Sequence, residues 1–229
     1  MKKQIPVIEN IMNANDQLAA QNRAQLDQAG VFAINLMASP GAGKTSLIEQ
    51  TLKLLPENTK VAVVDGDVAT SIDADRAAAA GAAAVQINTG GQCHLDAVLL
   101  RNALQQLENL SIYDLLMVEN VGNLICPATF QLGTHKSILI ASIPEGDDKP
   151  YKYPGMYRDV DALVINKIDL LPYIPFDMDY FTKGVEILSP NLVAFPVSCN
   201  TGEGIQVWIE WLTENIAQYN AGRAGDTST

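Results

Sequence analysis

The sequence predicts an α/β fold: a mostly parallel, doubly wound sheet of about seven strands with helices on both faces and a helical extension at the N-terminus. Three observations carry this prediction. Short continuous apolar runs, such as Leu115-Leu116-Met117-Val118 and Ile138-Leu139-Ile140, suit strands covered on both faces. These runs alternate with helix-like stretches, the pattern of a parallel sheet with crossover helices. A glycine-rich loop lies between the first such strand and the helix that follows it.

The elements follow in order. Residues 7–29 carry a loose apolar stripe, Ile8, Ile11, Met12 and Leu18, and stop at Gly30. This helix precedes the first strand, so residues 1–30 read as an extension in front of a domain spanning 31–220. Strands are expected at 31–37, 60–64, 84–87, 113–118, 137–142, 161–166 and 192–196. Helices are expected at 45–55, 71–80, 95–110, 177–188 and 205–219. Two stretches rich in turn formers, 88–94 and 143–157, read as irregular. The small, polar tail 221–229 predicts disorder. No repeat or linker divides the chain.

The length of 229 residues suits one domain with one core. With 48% apolar and 18% charged residues, the chain reads as soluble and globular. A net charge of −11 argues against nucleic acid or an anionic membrane as partner, since both would repel it. The start, Met1-Lys2-Lys3-Gln4-Ile5-Pro6, leads into no apolar stretch of signal-peptide type. Three cysteines, an odd number, predict free thiols and a cytoplasmic location rather than a disulfide framework.

The chemistry begins at Ala38-Ser39-Pro40-Gly41-Ala42-Gly43-Lys44-Thr45-Ser46. Strand before and helix after make this a P-loop and the fold a P-loop NTPase. Gly41 and Gly43 let backbone N–H groups turn toward phosphate oxygens, and the helix N-terminus adds a favourable dipole. Lys44 is expected to reach the β- and γ-phosphates and Thr45 to ligate Mg²⁺. The place of the usual first glycine is taken by Ala38.

Asn166-Lys167-Ile168-Asp169 follows a predicted strand and reads the base. The Asp169 carboxylate can accept from guanine N1–H and its exocyclic amine, whereas adenine leaves it unpaired, at a cost of about 1–3 kcal/mol or more. Lys167 would lie along base and sugar, and Asn166 would brace neighbouring loops. Ser198-Cys199-Asn200 follows another strand, where a backbone N–H can meet guanine O6. Cys199 itself reads as a small buried thiol.

Asp65-Gly66-Asp67 and Glu119 close two further strands. Alternation lets Asp65 and Asp67 share a direction. Glu119 with one of these two is expected to hold Mg²⁺, and Asp67 is the candidate for orienting the attacking water. Asp73 and Asp75 read as first-turn acids that favour the helix dipole. Gly122 is placed to let a backbone N–H approach the γ-phosphate.

Cys93-His94 and Cys126 fall in loops that a doubly wound sheet can bring to one end. Thiolate and imidazole favour Zn²⁺ or Ni²⁺ over Mg²⁺. Spacing alone, without a C-x-x-C pair, still leaves inert thiols somewhat favoured. His135 reads as a strand-start residue with no metal role.

Together these residues closely resemble the hydrogenase nickel-incorporation GTPases, the HypB family of SIMIBI-class metallochaperones. The matching segments are Ser39–Thr45, Gly91-Gln92-Cys93-His94-Leu95-Asp96, Glu119-Asn120-Val121-Gly122-Asn123-Leu124-Ile125-Cys126-Pro127, Glu145-Gly146-Asp147-Asp148-Lys149-Pro150 and Asn166–Asp169. The resemblance covers roughly residues 7–219. It implies zinc or nickel at Cys93, His94 and Cys126, and dimerisation when GTP is bound. It implies nickel insertion into the [NiFe]-hydrogenase large subunit together with a HypA-like zinc protein. It also implies that Lys149 reaches guanine across the dimer. No cysteine precedes Cys93 and no histidine precedes His94, so the sequence predicts no high-capacity nickel store. Hydrolysis is expected to be slow, because no arginine is placed as a finger. The alternatives are a urease-type nickel-insertion GTPase, which lacks the 119–127 pattern, and a small-molecule phosphotransferase with a structural zinc, against which Asn166–Asp169 argues.

Overall fold

The computed structural model describes residues 7–67 and 72–226. Residues 1–6, 68–71 and 227–229 lie outside the described residues. The chain begins with α1 (Val7–Ala29) and continues β1 (Phe32–Ala38), α2 (Lys44–Leu54), β2 (Val61–Asp67), α3 (Ile72–Ala79), β3 (Ala83–Asn88) and α4 (Ala97–Gln106). Then come β4 (Leu115–Glu119), β5 (Lys136–Ser142), the one-turn helices α5 (Lys149–Lys152) and α6 (Pro154–Tyr157), β6 (Ala162–Asn166), α7 (Met178–Leu188), β7 (Val193–Pro196) and α8 (Ile205–Asp226).

The seven strands form one parallel sheet in the order β3-β2-β4-β1-β5-β6-β7. Alternate residues of β1 face opposite layers, as the two-residue period of a strand requires. Phe32, Ile34 and Leu36 pack with Leu47 and Ile48 of α2 and Trp208 and Leu212 of α8. Ala33 packs on the other face with Leu26 of α1 and Leu100 and Leu104 of α4. Met37 joins Leu139, Met156, Tyr157 and Phe181 in a third cluster under α6 and α7. The buried Trp208 indole donates to Thr51 Oγ1 (2.9 Å), so its one polar atom is satisfied inside the core.

Side-chain amides stitch the N-terminal helix to the start of α4 and to the loop before β5. Asn15 Oδ1 accepts from Ala97 N–H (2.9 Å) at the start of α4, and its Nδ2 donates to Gln131 O (2.9 Å). Asn22 Nδ2 donates to Ala97 O (2.8 Å) and Leu132 O (3.0 Å). His135 lies just before β5 and accepts from Ala33 N–H through Nδ1 (2.9 Å). Its proton therefore sits on Nε2, which donates to Asp27 Oδ1 (3.0 Å).

Two expectations need correction. The stretch 143–157 contains a 3₁₀ turn and the short α5 and α6. The tail is helical as far as Asp226. Tyr219 of α8 donates to Asp27 (3.1 Å) and Arg223 lies over its ring, 5.8 Å from the centroid, so contacts with the end of α1 carry the helix past its last apolar residue.

Candidate functional site

Parallel strands put their carboxyl ends on one side of the sheet, and the connections diverge there. β1 and β2 lead toward the β3 edge, whereas β4, β5 and β6 lead toward the β7 edge. A crevice at such a reversal is the ligand site of open α/β sheets. The residues singled out in the sequence lie at or just beyond these carboxyl ends.

The loop after β1 turns through Gly41 (φ 76°) and Gly43 (φ 104°). Both values lie in the left-handed region that favours glycine. A Cβ on Gly43 would also stand 2.3 Å from Asn166 Nδ2. Lys44 and Thr45 open α2 and are buried, Ser46 is half-buried beside them, and Pro40 is exposed. Ser39 Oγ is buried without a partner among the described residues.

Asn166 ties the phosphate loop to the base-reading loops. Its Nδ2 donates to Ala42 O (2.9 Å), and its Oδ1 accepts from Lys167 N–H (2.7 Å) and Cys199 N–H (3.1 Å). Lys167 adopts φ 64° and its Nζ donates to Gly41 O (2.6 Å). The Asp169 carboxylate accepts from Ser198 Oγ (2.6 Å), which fixes its orientation. Cys199 is buried, and burial pushes its thiol up to about 11. Its backbone N–H donates to Asn166 Oδ1, and the adjoining Asn200 is exposed. Lys149 stands 5.6 Å from the Tyr153 ring centroid.

At the other end of the phosphate loop, Glu119 is paired in register with Asp65 across β4 and β2. Thr45 Oγ1 donates to Glu119 Oε1 (2.9 Å), and Lys44 Nζ stands 4.0 Å from the same oxygen. Burial raises Glu119 to about 7 against the pull of Lys44, and burial with the neighbouring Asp73 and Asp67 raises Asp65 to about 6. Asp65, Asp73 and Glu119 each bring an oxygen within 4.8 Å of the others. Asp65 Oδ2 is buried with no partner among the described residues. Hard oxygen donors, an orphaned buried carboxylate oxygen and the hydroxyl of Thr45 fit Mg²⁺. Asp73, read from the sequence as a first-turn acid, joins Asp65 and Glu119 in this cluster, and Asp67 is not one of its three residues.

The second cluster is Cys93, His94 and Cys126, whose ligand atoms also lie within 4.8 Å of one another. Cys93 Sγ is 3.0 Å from Cys126 Sγ and 3.7 Å from His94 Nδ1. Burial lowers His94 and so favours its neutral, ligating form. The shared hydrogen bond with Cys93 raises the Cys126 thiol. The His94 ring stacks on Phe130 at 4.0 Å.

Several residues missed in the sequence connect the two clusters. Gly66 leaves room for the Leu95 side chain, which a Cβ would meet at 2.7 Å. The fully buried Asn120 accepts from both Leu95 N–H and Val121 N–H (2.9 Å each) and donates to Asn35 Oδ1 (3.2 Å). Of these, Asn120 lies in the E-N-V-G-N-L-x-C-P segment, which marks the motif without revealing its individual hydrogen bonds.

Comparisons with known proteins agree with this geometry. Residues 32–193 match the family described as CobW/HypB/UreG, nucleotide-binding domain. The chain is 43% identical to the hydrogenase maturation factor HypB of Azotobacter vinelandii over 210 residues, 92% of this chain and 69% of that one. It is 41% identical to the probable HypB of Methanocaldococcus jannaschii over 214 residues, 93% of this chain and 96% of that one. Among solved structures it resembles HypB from Helicobacter pylori in complex with nickel. That match has a TM-score of 0.85 at 35% identity and covers 90% of this chain and 96% of that one.

Proposed function

The chain belongs to the HypB family of hydrogenase maturation factors, and from that premise we propose that it is a GTP-hydrolysing metallochaperone whose nickel site responds to the nucleotide. One observation carries the reading. The nine residues 119–127 begin with a carboxylate against Lys44 and Thr45 and end beside a thiol that faces Cys93 and His94. A change at the phosphates and a change at the thiols are therefore changes in one short segment.

Each step follows from the residues. Backbone N–H groups of residues 39–45 cradle the phosphates, and Lys44 neutralises the β- and γ-oxygens. The Asp169 carboxylate, oriented by Ser198, selects guanine over adenine. Thr45, Asp65, Glu119 and, by its position, Asp73 hold Mg²⁺, which neutralises charge on the phosphates when bound. Asp67 or Asp65 orients the attacking water. Cys93, His94 and Cys126 hold Ni²⁺ as cargo, or Zn²⁺, through soft and borderline donors. With only three ligands, the site keeps a position for water or for the recipient, which suits transfer. Loss of the γ-phosphate shifts residues 119–127 and weakens the hold of Cys126. This is allostery in the strict sense, two sites biasing one two-state element.

The same reading makes the chain a homodimer with GTP, with Lys149 reaching toward the partner's base. Its other partners are a HypA-like protein and the large subunit of a [NiFe]-hydrogenase, and its location is the cytoplasm. No helix among the described residues is long and apolar enough to cross a membrane.

Phosphate release from GTP and from ATP, measured alongside nickel stoichiometry for the wild type and Cys126→Ala, tests the proposal. The expected result is guanine-dependent release in both proteins and loss of tight nickel only in the variant. Release from ATP at an equal rate, or unchanged nickel in the variant, overturns it.

A further inference from the structure

Asn123 stands where the two clusters meet. Its backbone N–H donates to Ala38 O (2.8 Å), the last residue of β1 and the entry to the phosphate loop. Its neighbour Gly122 lies against Pro40, and a Cβ there would be 3.0 Å from the proline backbone. The side chain of Asn123 faces the other way. Nδ2 donates to Cys93 O (3.2 Å), and Oδ1 accepts from Ile125 N–H (2.8 Å), the residue before Cys126.

One residue thus touches three segments: the phosphate loop, the Cys93-His94 loop and the run into Cys126. Beside a direct hydrogen bond to the Cys126 thiol, its two side-chain bonds to the backbone have separable purposes. The Oδ1 bond shapes a local turn within residues 123–125. The Nδ2 bond crosses to a loop thirty residues away in sequence and has no role in that turn. Asn123 is half-buried, so the bond is not part of the packed core. Any movement of residues 121–123 against Pro40 is passed to the Cys93 backbone through this amide, and to Cys126 through the turn and through the side chain's own hydrogen bond to the thiol.

We infer that Asn123 is the positioning residue that makes the geometry of the Cys93–His94–Cys126 site depend on the occupant of the phosphate loop. The inference rests on the nucleotide-responsive nickel site proposed above and names the side chain that transmits the response.

Asn123→Ser separates the two bonds. A serine hydroxyl can still accept from Ile125 N–H but cannot reach Cys93 O. Asn123→Ala removes both. The measurement is Ni²⁺ affinity of the full chain with Mg²⁺ and a non-hydrolysable GTP analogue, and again with Mg²⁺ and GDP, read from the thiolate-to-nickel absorption band. Wild type should bind tighter with the analogue by a factor within the usual coupling range of roughly 5–150. Loss of one net hydrogen bond should shrink that ratio about 2–12-fold in Asn123→Ser. Affinity for each nucleotide and thermal stability should stay close to wild type. The nucleotide dependence of the absorption band should weaken in the same proportion, a change that a merely structural residue would not produce. An Asn123→Ser ratio equal to wild type overturns the assignment and leaves the coupled site standing. A wild-type ratio of one overturns both. Failure of Asn123→Ala to fold does not affect the outcome, because the serine variant carries the test.

Discussion

Removing the charge of Glu119 should stabilise the metal-free protein at alkaline pH. Glu119 is buried beside Asp65 and keeps its proton to about pH 7, against an ordinary value of 4.5. The chief cause is burial, and the 4.0 Å approach of Lys44 does not offset it. The native state therefore binds a proton that the unfolded chain has released between these two values. Stability from this group is full below about pH 4.5 and is lost as pH rises through 7. At 1.36 kcal/mol per pH unit the loss amounts to as much as about 3 kcal/mol, an upper figure because Asp65 shares the proton. Glu119→Gln keeps an oxygen to accept from Thr45 and carries no charge. In EDTA and without nucleotide, urea unfolding should show the variant gaining on wild type steadily from pH 4.5 to 8. With Mg²⁺ and a GTP analogue at pH 8 the order should reverse, since only the carboxylate ligates the cation well. A wild type that gains on Glu119→Gln as pH rises in EDTA would refute the reasoning.

Three further outcomes follow from the same structure. Asp169→Ala removes the partner of two guanine N–H groups; at about 1.5–3 kcal/mol per charge-assisted bond, GTP affinity by calorimetry should fall at least about a hundredfold, with Ni²⁺ affinity in the absence of nucleotide unchanged. Gly43→Ala forces a Cβ onto Asn166 at a left-handed backbone position, so nucleotide binding should be lost, and the backbone conformation alone costs about 1–2 kcal/mol. Asn22→Ala leaves the carbonyls of Ala97 and Leu132 without their donor, and denaturant titration should show a loss of about 1–3 kcal/mol.

The sheet was legible because its strands are continuous apolar runs bounded by turn formers; six of the seven fall within two residues of the expected bounds, and β2 runs three residues further, to Asp67. The two ends of the nucleotide crevice were legible for a different reason. Phosphate and guanine recognition each use a short contiguous segment, so spacing carries the signal. Asp73 was missed because an acid in a first helical turn looks the same whether it faces the dipole or a cation. Only the register of β2 with β4 and the placement of α3 bring it to Asp65 and Glu119. The amides of Asn15, Asn22, Asn120 and Asn123 were silent in the sequence, because each bridges segments remote in the chain. The helical continuation of α8 was hidden too, since it depends on Tyr219 and Arg223 meeting the end of α1 rather than on local composition.

The account stands on a link between phosphate chemistry at Lys44 and metal retention at Cys126. Its most direct test is a single turnover of protein loaded with Ni²⁺, Mg²⁺ and GTP, with phosphate release and transfer of nickel to a chelator recorded together. The two traces should share one rate constant, and a non-hydrolysable analogue should hold the nickel back. Equal transfer rates with GTP and with the analogue would contradict the link.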